Sequence, residues 1–464
     1  MPALSLNDFE RDALATLTTY ATIPCLSPMF DEHWQESGHI ERAVGLLADW
    51  ARARTLANFD VTVHRLEGRT PVLCVTVEST GASSGTVLLY GHLDKQPPLG
   101  DWSDGLGPYA PVRRGDRLYA RGVVDDGYST FAALLAIEAM EASGIPHSRC
   151  VVLIEASEES GSPDLDAYLD LLTDHLGNVE LMICLDSGGL SYDRLWLTTS
   201  LRGIVNAEVT VNVLTQGLHS GSVSGVVPSS FRLLRQLLDR VEDPSTGEIL
   251  IKELHCEIPE NHVTAAKEVA NEFGDFLVEA LPTTEGVSLM GDCAADRMLR
   301  STWCPTLSVI GVGGIPEPEM AGNVLRPFTT VVLSFRLPPL VDAKVASGAI
   351  ERTLSADAPF AKVTVSQAAD GWMCPPLQPW LEEALLEAST DAFGRPPGFC
   401  GEGGSIPFLA SLGKRFPAVQ FVATGALGPK SNAHGIDEML DLPTAVGVTN
   451  SVITVLGSYA NKKD

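Results

Sequence analysis

The 464-residue sequence is short of positive charge. It has 32 Lys and Arg against 59 Asp and Glu, which gives a net charge of −27. A field of that sign repels nucleic acids and anionic membrane surfaces, so we expect neither as a partner. The sequence also lacks an apolar run of membrane-spanning length, and no basic segment followed by an apolar one stands near its start. We therefore expect a cytoplasmic protein.

Several common motifs are also missing. The nine cysteines form no C-x-x-C pair and no even framework, which predicts reduced, mostly buried thiols. There is no G-x-x-x-x-G-K-[ST] phosphate loop and no repeat of solenoid period. The glycine-rich stretch at 311–316 is followed by prolines, not by a helix, so it is not a dinucleotide-binding loop. These absences argue against disulfide scaffolds, P-loop enzymes and dinucleotide-dependent enzymes.

The length predicts more than one domain, because 464 residues exceed what one ordinary core holds. Strand-like and helix-like segments alternate up to about residue 204, and this pattern resumes at about 373. Between them, residues 205–372 have a different, α+β character. We therefore expect an α/β domain with a doubly wound mixed sheet, formed by 1–204 and 373–464, with a second domain inserted into it.

Four apolar, strand-like stretches end in side chains that can bind metal ions. In open α/β sheets, ligands bind in the crevice outside the carboxyl ends of the strands. We therefore expect the four stretches to converge on one site. The residues that end or follow them are, in order, His92 with Asp94, Asp125 or Asp126, Glu158 with Glu159, and Asp186.

Each of these features also has a simpler interpretation. Asp125 or Asp126 can cap the Ala-rich helix expected from Tyr128 to Ala142. His92 can be a buried histidine paired with Asp94, and acids that follow a strand often lie in a solvated turn. Four such stretches in one chain favour a site over four unrelated turns.

The paired acids Glu158 and Glu159 suggest two different roles. Adjacent side chains on an extended segment point to opposite sides, so these two carboxylates are expected to lie in different environments. One can bind a metal while the other acts as a base. After them, Ser162 is expected to cap a helix that has Pro163 at its first position and runs to about Leu176.

A second candidate histidine lies far along the chain. His434 stands in the polar segment S-N-A-H-G-I-D-E, after a strand that ends near Ala423. A histidine in a loop is usually just exposed. The acids beside it and the four strand ends favour a role as metal ligand.

In their order and spacing these motifs resemble one known family, the co-catalytic zinc aminoacylases and carboxypeptidases. The motifs are G-H-L-D, R-G-V-V-D-D, E-E-S-G-S, L-D-S, L-H-S-G, G-G-S-I-P and S-N-A-H-G-I-D-E, and they cover nearly the whole chain. The family includes carboxypeptidase G, succinyl-diaminopimelate desuccinylase and the carnosine dipeptidases. The W-S loop at Trp102 and the S-L-R-G-I segment are most similar to the carnosine dipeptidase branch.

The resemblance implies a centre of two divalent metal ions per subunit, zinc by preference, with manganese or cobalt as alternatives. It implies that Glu158 is the general base and that Asp94 orients His92. The implied ligands are His92 and Asp186 for one metal, Glu159 and His434 for the other, and Asp125 as the bridge between them.

The resemblance also implies that the inserted domain is a ferredoxin-like lid and dimerisation module. His219 would donate to the oxyanion in the neighbouring subunit's site, and Asn323 would cross in the same way. Arg336 would bind the substrate carboxylate, for which its planar fork is better suited than a lysine. Gly404 and Ser405 would line the same pocket.

Two positions depart from the family pattern. Gly127 replaces the lysine of D-D-K-G, and Gly401 replaces the arginine of R-E-G-G-S-I-P. Neither is an implied metal ligand. The resemblance therefore implies a homodimeric hydrolase that cleaves dipeptides or short peptides with a free carboxylate. An N-acyl amino-acid deacylase is the alternative, and a non-catalytic metal-binding scaffold is a third.

Overall fold

The computed structural model describes residues 1–81, 85–275, 281–404 and 407–462, without the side chain of residue 407. Contacts between residues divide the chain into two units. Unit 1 comprises Met1–Thr198, Cys374–Phe399 and Ser411–Asp464, and unit 2 comprises Thr199–Met373 and Cys400–Ala410. The domain boundaries given by the sequence analysis stay predictions.

The strands are numbered in chain order. They are Phe59–His64 (β1), Val72–Val77 (β2), Thr86–His92 (β3), Val112–Arg114 (β4), Arg117–Tyr119 (β5), Arg149–Glu155 (β6), Val179–Cys184 (β7), Trp196–Leu201 (β8), Gly203–Asn212 (β9), Leu218–His219 (β10), Thr306–Gly313 (β11), Val324–Leu325 (β12), Phe328–Leu337 (β13), Ala361–Ala369 (β14), Trp372–Met373 (β15), Gly398–Glu402 (β16), Gln420–Ala423 (β17) and Met439–Asp441 (β18).

The helices and helical turns include several of a single turn. They are Leu6–Phe9, Glu10–Leu14, Ala15–Ala21, Trp34–Ser37, His39–Arg52, Val123–Gly127, Ser129–Ala142, Glu158–Ser160, Leu165–Leu171, Thr173–Leu176, Ser220–Val223, Ser230–Leu238, Lys252–Leu254, Glu260–Phe273, Ala294–Trp303, Pro318–Met320, Ala343–Ser355, Pro379–Phe393, Pro407–Arg415 and Leu442–Asn461.

Unit 1 is built on a six-stranded mixed sheet of order β1-β2-β6-β3-β7-β17. The strands β6, β3, β7 and β17 run parallel, while β1 and β2 are antiparallel to their neighbours. Every residue of β3 is buried, as expected for a central parallel strand covered on both faces. This agrees with the mixed α/β sheet expected for the first domain.

The order of the sheet brings three predicted strand ends together. Because β6, β3 and β7 are adjacent and parallel, their carboxyl ends lie side by side at one edge. His92 ends β3, Glu155 ends β6, and Cys184 ends β7 two residues before Asp186. The predicted site therefore lies where a doubly wound sheet places its ligands.

Unit 2 contains a four-stranded antiparallel sheet of order β11-β13-β9-β14. Buried and less buried residues alternate along β9 and β13, so one face of this sheet packs on a core. That core includes apolar side chains of the helices Ser230–Leu238 and Ala343–Ser355. Unit 2 is thus a sheet with helices packed on it, in agreement with the predicted α+β character.

None of the helices among the described residues is both long and apolar enough to cross a lipid bilayer.

Candidate metal centre

His92 is buried at the end of β3, with its ring between two carboxylates. Its Nδ1 lies 3.1 Å from the main-chain oxygen of Asp94 and 3.5 Å from the Asp94 carboxylate. Its Nε2 lies 3.1 Å from Asp125 Oδ1 and 3.7 Å from Asp186 Oδ2. With Nδ1 directed to the Asp94 segment, Nε2 is the nitrogen that faces the other acids.

The turn that carries Asp125 packs directly against β3. A side chain at Gly91 would clash with Ser129 Oγ and Asp126 Oδ2, so glycine is required for this close approach. The same Asp126 oxygen accepts a hydrogen bond from the main-chain nitrogen of His92 at 3.1 Å. The helix Ser129–Ala142 receives no side-chain cap at its N-cap position, Tyr128. The simpler interpretation, in which an aspartate caps this helix, is therefore wrong.

Asp125 lies between the two candidate histidines. Its Oδ1 is 3.1 Å from His92 Nε2, and its Oδ2 is 2.9 Å from His434 Nε2. Each carboxylate oxygen therefore faces a different imidazole, an arrangement that a carboxylate shared by two cations requires.

Glu158 and Glu159 lie on a one-turn 3-10 helix and not on an extended segment. The prediction that the two glutamates lie on an extended segment is therefore wrong. Both main-chain nitrogens donate to the carboxylate of Asp94, at 3.1 and 3.0 Å. The Glu159 side chain is only 4% exposed, and its Oε2 lies 3.3 Å from His434 Nε2 and accepts from Gln96 Nε2 at 2.7 Å.

Buried Glu155 supports the same turn from the end of β6. Its carboxylate accepts hydrogen bonds from the hydroxyls of Tyr90, Ser157 and Ser162. Ser162 was predicted to cap the next helix, but it has a φ of +53° and the helix begins at Leu165. That prediction is wrong because the Ser162 hydroxyl donates to Glu155 instead.

Negative charge is in excess in this cluster. Burial raises the pKa of Glu158, and nearby Asp186 raises it further. Burial raises the pKa of Asp186 to about 6, and burial and Asp125 raise that of Glu159. Burial opposes the protonation of His434, but hydrogen bonds to Asp125 and Glu159 outweigh it and raise its pKa to about 11. A cation among these carboxylates would favour their charged forms.

The donor set fits a divalent metal ion. Among the described residues, His92, Asp125 and Glu159 offer ligand atoms within 4.8 Å of one another, and so do His92, Asp126 and Asp186. The buried Oε1 of Glu159 has no hydrogen-bond partner among the residues that the structure describes. Imidazole and carboxylate donors of this kind suit zinc, manganese and cobalt.

Two predicted residues of unit 2 lie next to each other. His219 pairs with Val324 across β10 and β12, and the main-chain nitrogen of Ser220 donates to the oxygen of Asn323 at 2.9 Å. His219 is exposed, and its Nδ1 accepts a hydrogen bond from the main-chain nitrogen of Gly221 at 3.1 Å. In a neutral imidazole this places the proton on Nε2, which is then a donor.

Arg336 and Gly404 also belong to unit 2, and both are close to Arg202. Arg202 donates from its main-chain nitrogen to Gly404 O at 3.1 Å, and its Nε donates to Gly403 O at 3.0 Å. Burial and, to a smaller extent, the charge of Arg336 lower the pKa of Arg202 to about 10. Ser405 lies outside the described residues.

The structure shows how little space there is at Gly127 and Gly401, the two positions that depart from the family pattern. A side chain at Gly127 would clash with the Tyr20 ring and the Gly122 oxygen. The ammonium of buried Lys95 lies 4.1 Å from the centre of that ring and donates to the oxygens of residues 20, 21 and 23. A side chain at Gly401 would come within 2.6 Å of Ser200 Oγ. At either position even a Cβ atom would have to displace a neighbouring atom.

Asp126 was predicted only as an alternative to Asp125, and no role was predicted for Gln96, Arg121 or Glu438, although all four support the centre. Arg121 and Glu438 stand inside the quoted motifs R-G-V-V-D-D and S-N-A-H-G-I-D-E. A signal was present, because Arg121 carries a charge in an otherwise apolar segment that leads to Val124. Their contact was not predictable, because 317 positions separate them in the chain.

Comparisons with known proteins were made on the whole chain. A family model described as Peptidase family M20/M25/M40 matches residues 88–456. The chain is 28% identical over 459 residues to a cysteinylglycine-S-conjugate dipeptidase of Corynebacterium striatum, covering 94% of this chain and 96% of that protein. It is 27% identical over 398 residues to the Cys-Gly metallodipeptidase DUG1 of Saccharomyces cerevisiae, covering 82% and 81%.

A solved structure shares the fold. The crystal structure of human carnosine dipeptidase 1 matches with a TM-score of 0.75 and 20% sequence identity, covering 98% of both chains. At this level of identity the likeness concerns the fold alone.

Proposed function

The chain belongs to peptidase family M20/M25/M40, and we propose that it hydrolyses the peptide bond of dipeptides or short peptides with a free carboxylate. Membership of this family makes it a metallopeptidase that binds divalent metal ions. Beyond this, we propose how many metal ions it binds, which residue acts as the base, what the substrate is and that the protein is a dimer. We also propose a cytoplasmic location, which rests on the sequence analysis alone.

The observation that carries the proposal is the position of Asp125. Its two oxygens face two imidazole nitrogens on opposite sides, at 3.1 Å for His92 and 2.9 Å for His434. A carboxylate in this position suits a bridge between two metal ions. We assign His92 and Asp186 to one ion and Glu159 and His434 to the other.

Two zinc ions in this site, or manganese or cobalt in their place, would polarise the substrate carbonyl and lower the pKa of a water molecule. The protein supplies the base. Glu158 is partly buried beside the ligands, and its turn is fixed through its main-chain hydrogen bond to Asp94. We propose that its carboxylate accepts the proton of the attacking water and transfers it to the leaving amine.

His219 is the proposed donor to the oxyanion. Because its Nδ1 accepts from Gly221, the neutral ring carries its proton on Nε2, the nitrogen that can donate to developing negative charge. We propose that His219 and Asn323 serve the site of the partner subunit.

We propose that residues 205–372 form a ferredoxin-like lid and dimerisation domain between 1–204 and 373–464. The antiparallel order β11-β13-β9-β14 is the strand order of that fold and supports this assignment. Within the described residues, β11 pairs only with β13 and so forms an edge of the sheet. Its side chains Val309, Ile310 and Val312 are 48%, 59% and 60% exposed. Exposed apolar side chains on an edge strand support a protein interface there, as a homodimer requires.

We propose that Arg336 binds the substrate carboxylate, in a pocket that Gly404 and Ser405 would line. A guanidinium binds a carboxylate through two parallel hydrogen bonds, which gives geometric specificity as well as charge. The relatives named as Cys-Gly dipeptidases act on substrates of two residues, which supports a dipeptide as substrate here.

The test is a substrate panel assayed with defined metal content. Purified protein is loaded with zinc, manganese or cobalt, and its metal content is measured before each assay. We expect two ions per chain, and hydrolysis of Cys-Gly and β-Ala-His in preference to N-acetyl and N-succinyl amino acids. Faster hydrolysis of the N-acyl amino acids would replace the dipeptidase proposal by the deacylase alternative. A single ion per chain would contradict the bridging role of Asp125.

A further inference from the structure

A buried ion pair joins the two segments that carry Asp125 and His434. Arg121 Nη1 donates to Glu438 Oε2 at 2.7 Å, and the two side chains are 1% and 0% exposed. Charged side chains are rarely buried this completely unless they are paired. The other hydrogen bonds of these two side chains therefore indicate which parts of the chain the pair positions.

Glu438 holds the Asp125 turn through main-chain hydrogen bonds. Its Oε1 accepts from the nitrogens of Gly122 at 2.9 Å, Val124 at 3.2 Å and Asp125 at 3.4 Å. Gly122 has a φ of +83°, a conformation that glycine adopts readily and that turns these nitrogens toward one carboxylate. A single carboxylate thus fixes the backbone on which Asp125 stands.

Arg121 holds the other segment. Its Nη2 donates to the main-chain oxygen of Gly435 at 2.7 Å, next to His434, and to that of Pro97 at 3.3 Å. The main-chain nitrogen of Ala120 also donates to the oxygen of Glu438 at 3.1 Å. The ion pair therefore connects the two segments. Glu438 bonds to the main chain of Asp125, and Arg121 bonds to the main chain of Gly435, the residue after His434.

The His434 segment needs such support. Asn432, His434 and Asp437 all have positive φ angles, of 54°, 62° and 58°, which L side chains adopt at a cost in free energy. The His434 side chain is 53% exposed, so packing around it does little to hold it. We therefore expect this segment to relax in part when the contacts to Arg121 and Glu438 are removed.

The two ligands assigned to the other metal ion alone, His92 and Asp186, are positioned by different secondary-structure elements. His92 ends the central strand β3, and Asp186 follows β7, which is paired with β3 and β17. Neither the side chain of Arg121 nor that of Glu438 has a hydrogen bond to these strands among the contacts of the described residues. Loss of the pair is therefore expected to affect the two metal positions unequally.

We propose that Arg121 and Glu438 are positioning residues that hold His434 against Asp125. They thereby set the affinity of the metal position formed with Glu159 and His434 more strongly than that of the position formed with His92 and Asp186, which shares only Asp125 with the segments that the pair holds. This inference rests on the proposed dinuclear centre. The competing view is that the pair stabilises unit 1 as a whole and has no selective effect on either position.

The first variant is Glu438→Gln, which keeps the shape of the side chain but removes its charge. One amide oxygen cannot accept from Arg121 and from three main-chain nitrogens at once, so the turn and the loop lose part of their connection. Arg121→Lys is the second variant, because one ammonium cannot reproduce the fork that bonds to Glu438 and Gly435 together. The control is Glu180→Gln, which removes a carboxylate that pairs with Lys462 at 2.6 Å, outside the centre.

The metal measurement uses zinc ions alone, with stoichiometry and affinity determined for each variant. We expect Glu438→Gln to retain one tightly bound ion per chain and to bind the second about 10–100-fold more weakly, the usual scale for residues that orient metal ligands. Arg121→Lys should show the same pattern to a smaller extent, and Glu180→Gln should bind as the unmodified chain does. Equal weakening of both ions, or of neither, would overturn the inference.

A second measurement does not depend on the proposed function. Amide hydrogen exchange is followed in metal-depleted protein for segments 431–438 and 149–155. We expect Glu438→Gln to accelerate exchange in the first segment on the order of tenfold and to leave the second, strand β6, unchanged. If the unmodified chain binds fewer than two ions, the dinuclear proposal fails, and the exchange data alone decide the role of the pair. Unchanged exchange in 431–438 would show that the pair does not hold the loop.

Discussion

Asp94 Oδ1 accepts a hydrogen bond from the main-chain nitrogen of Glu158 at 3.1 Å. The same aspartate lies against His92 Nδ1, so one side chain connects the end of β3 with the turn that follows β6. The role implied for Asp94 was only to orient His92. Its contacts indicate that it also fixes the turn of the proposed base and of the ligand Glu159.

Asp94→Asn tests this double contact. The amide can still accept one main-chain hydrogen bond, but its NH2 group faces either the second nitrogen or the His92 ring. We therefore expect metal affinity to fall by about 10–100-fold and kcat to fall as well, with little loss of folded protein. Metal titration and steady-state kinetics check this. Unchanged metal affinity would limit Asp94 to a structural role.

Glu158→Gln separates the proposed base from the proposed ligands. The variant should retain its metal ions, because Glu159 is the assigned ligand, while kcat falls by at least ~100-fold, the scale of general base catalysis. Glu159→Ala should instead lose metal together with activity. Metal analysis and kinetics on the same preparations distinguish the two. Near-normal turnover by the Gln variant would exclude Glu158 as the base.

Arg336→Ala tests recognition of the substrate carboxylate. The guanidinium is half-buried on β13, where burial lowers its pKa. We expect kcat/KM for free-acid dipeptides to fall far more than kcat/KM for the corresponding dipeptide amides. Circular dichroism and metal content of the variant serve as controls. Equal losses for acids and amides would make Arg336 a structural residue.

Gly91→Ala tests the close packing of the Asp125 turn on β3. The added methyl group would clash with Ser129 Oγ and Asp126 Oδ2, so we expect the free energy of unfolding to fall by about 1–3 kcal/mol. Gly45→Ala is the matched control, because a methyl group there meets nothing within 4 Å inside the helix His39–Arg52. That change should raise the free energy of unfolding by up to about 1 kcal/mol. Equal effects in denaturant titrations would contradict the packing argument.

The local sequence pattern was sufficient to predict much of the sheet of unit 1. Buried runs that end in His92 and before Asp186 were recognisable, because a covered parallel strand is continuously apolar and its end is polar. The mixed α/β sheet and the metal ligand types followed from these ends. The local pattern did not indicate that β6, β3 and β7 are neighbours. That their carboxyl ends meet was expected only from the general topology of open α/β sheets.

The errors and omissions have a common physical cause, which is hydrogen bonding by side chains to partners that the local sequence pattern does not indicate. Ser162 looked like a helix cap, but its hydroxyl donates to Glu155. The Arg121–Glu438 pair spans 317 positions, so no local pattern could indicate it. Glu158 and Glu159 were treated as extended residues because a strand precedes them, whereas their backbone forms a turn bonded to Asp94.

The last prediction concerns the site to which His219 contributes. If His219 serves the partner subunit, each complete site takes its metal ligands and Glu158 from one chain and His219 from the other. Homodimers of His219→Ala and of Glu158→Ala should then each be nearly inactive. When they are mixed under conditions that exchange subunits, the heterodimer should contain one site with every residue intact. That site combines Glu158 of the His219→Ala chain with His219 of the Glu158→Ala chain.

The expected recovery follows from the symmetry of a dimer. With equal amounts and random exchange, half of the dimers are mixed and half of their sites are whole, so activity should return to roughly a quarter of the unmodified level. Native mass spectrometry confirms the exchange, and a double variant carrying both changes, mixed with itself, gives the floor. If exchange is complete and activity stays at that floor, His219 does not act in the partner's site. The short strand Leu218–His219 would then have no catalytic role.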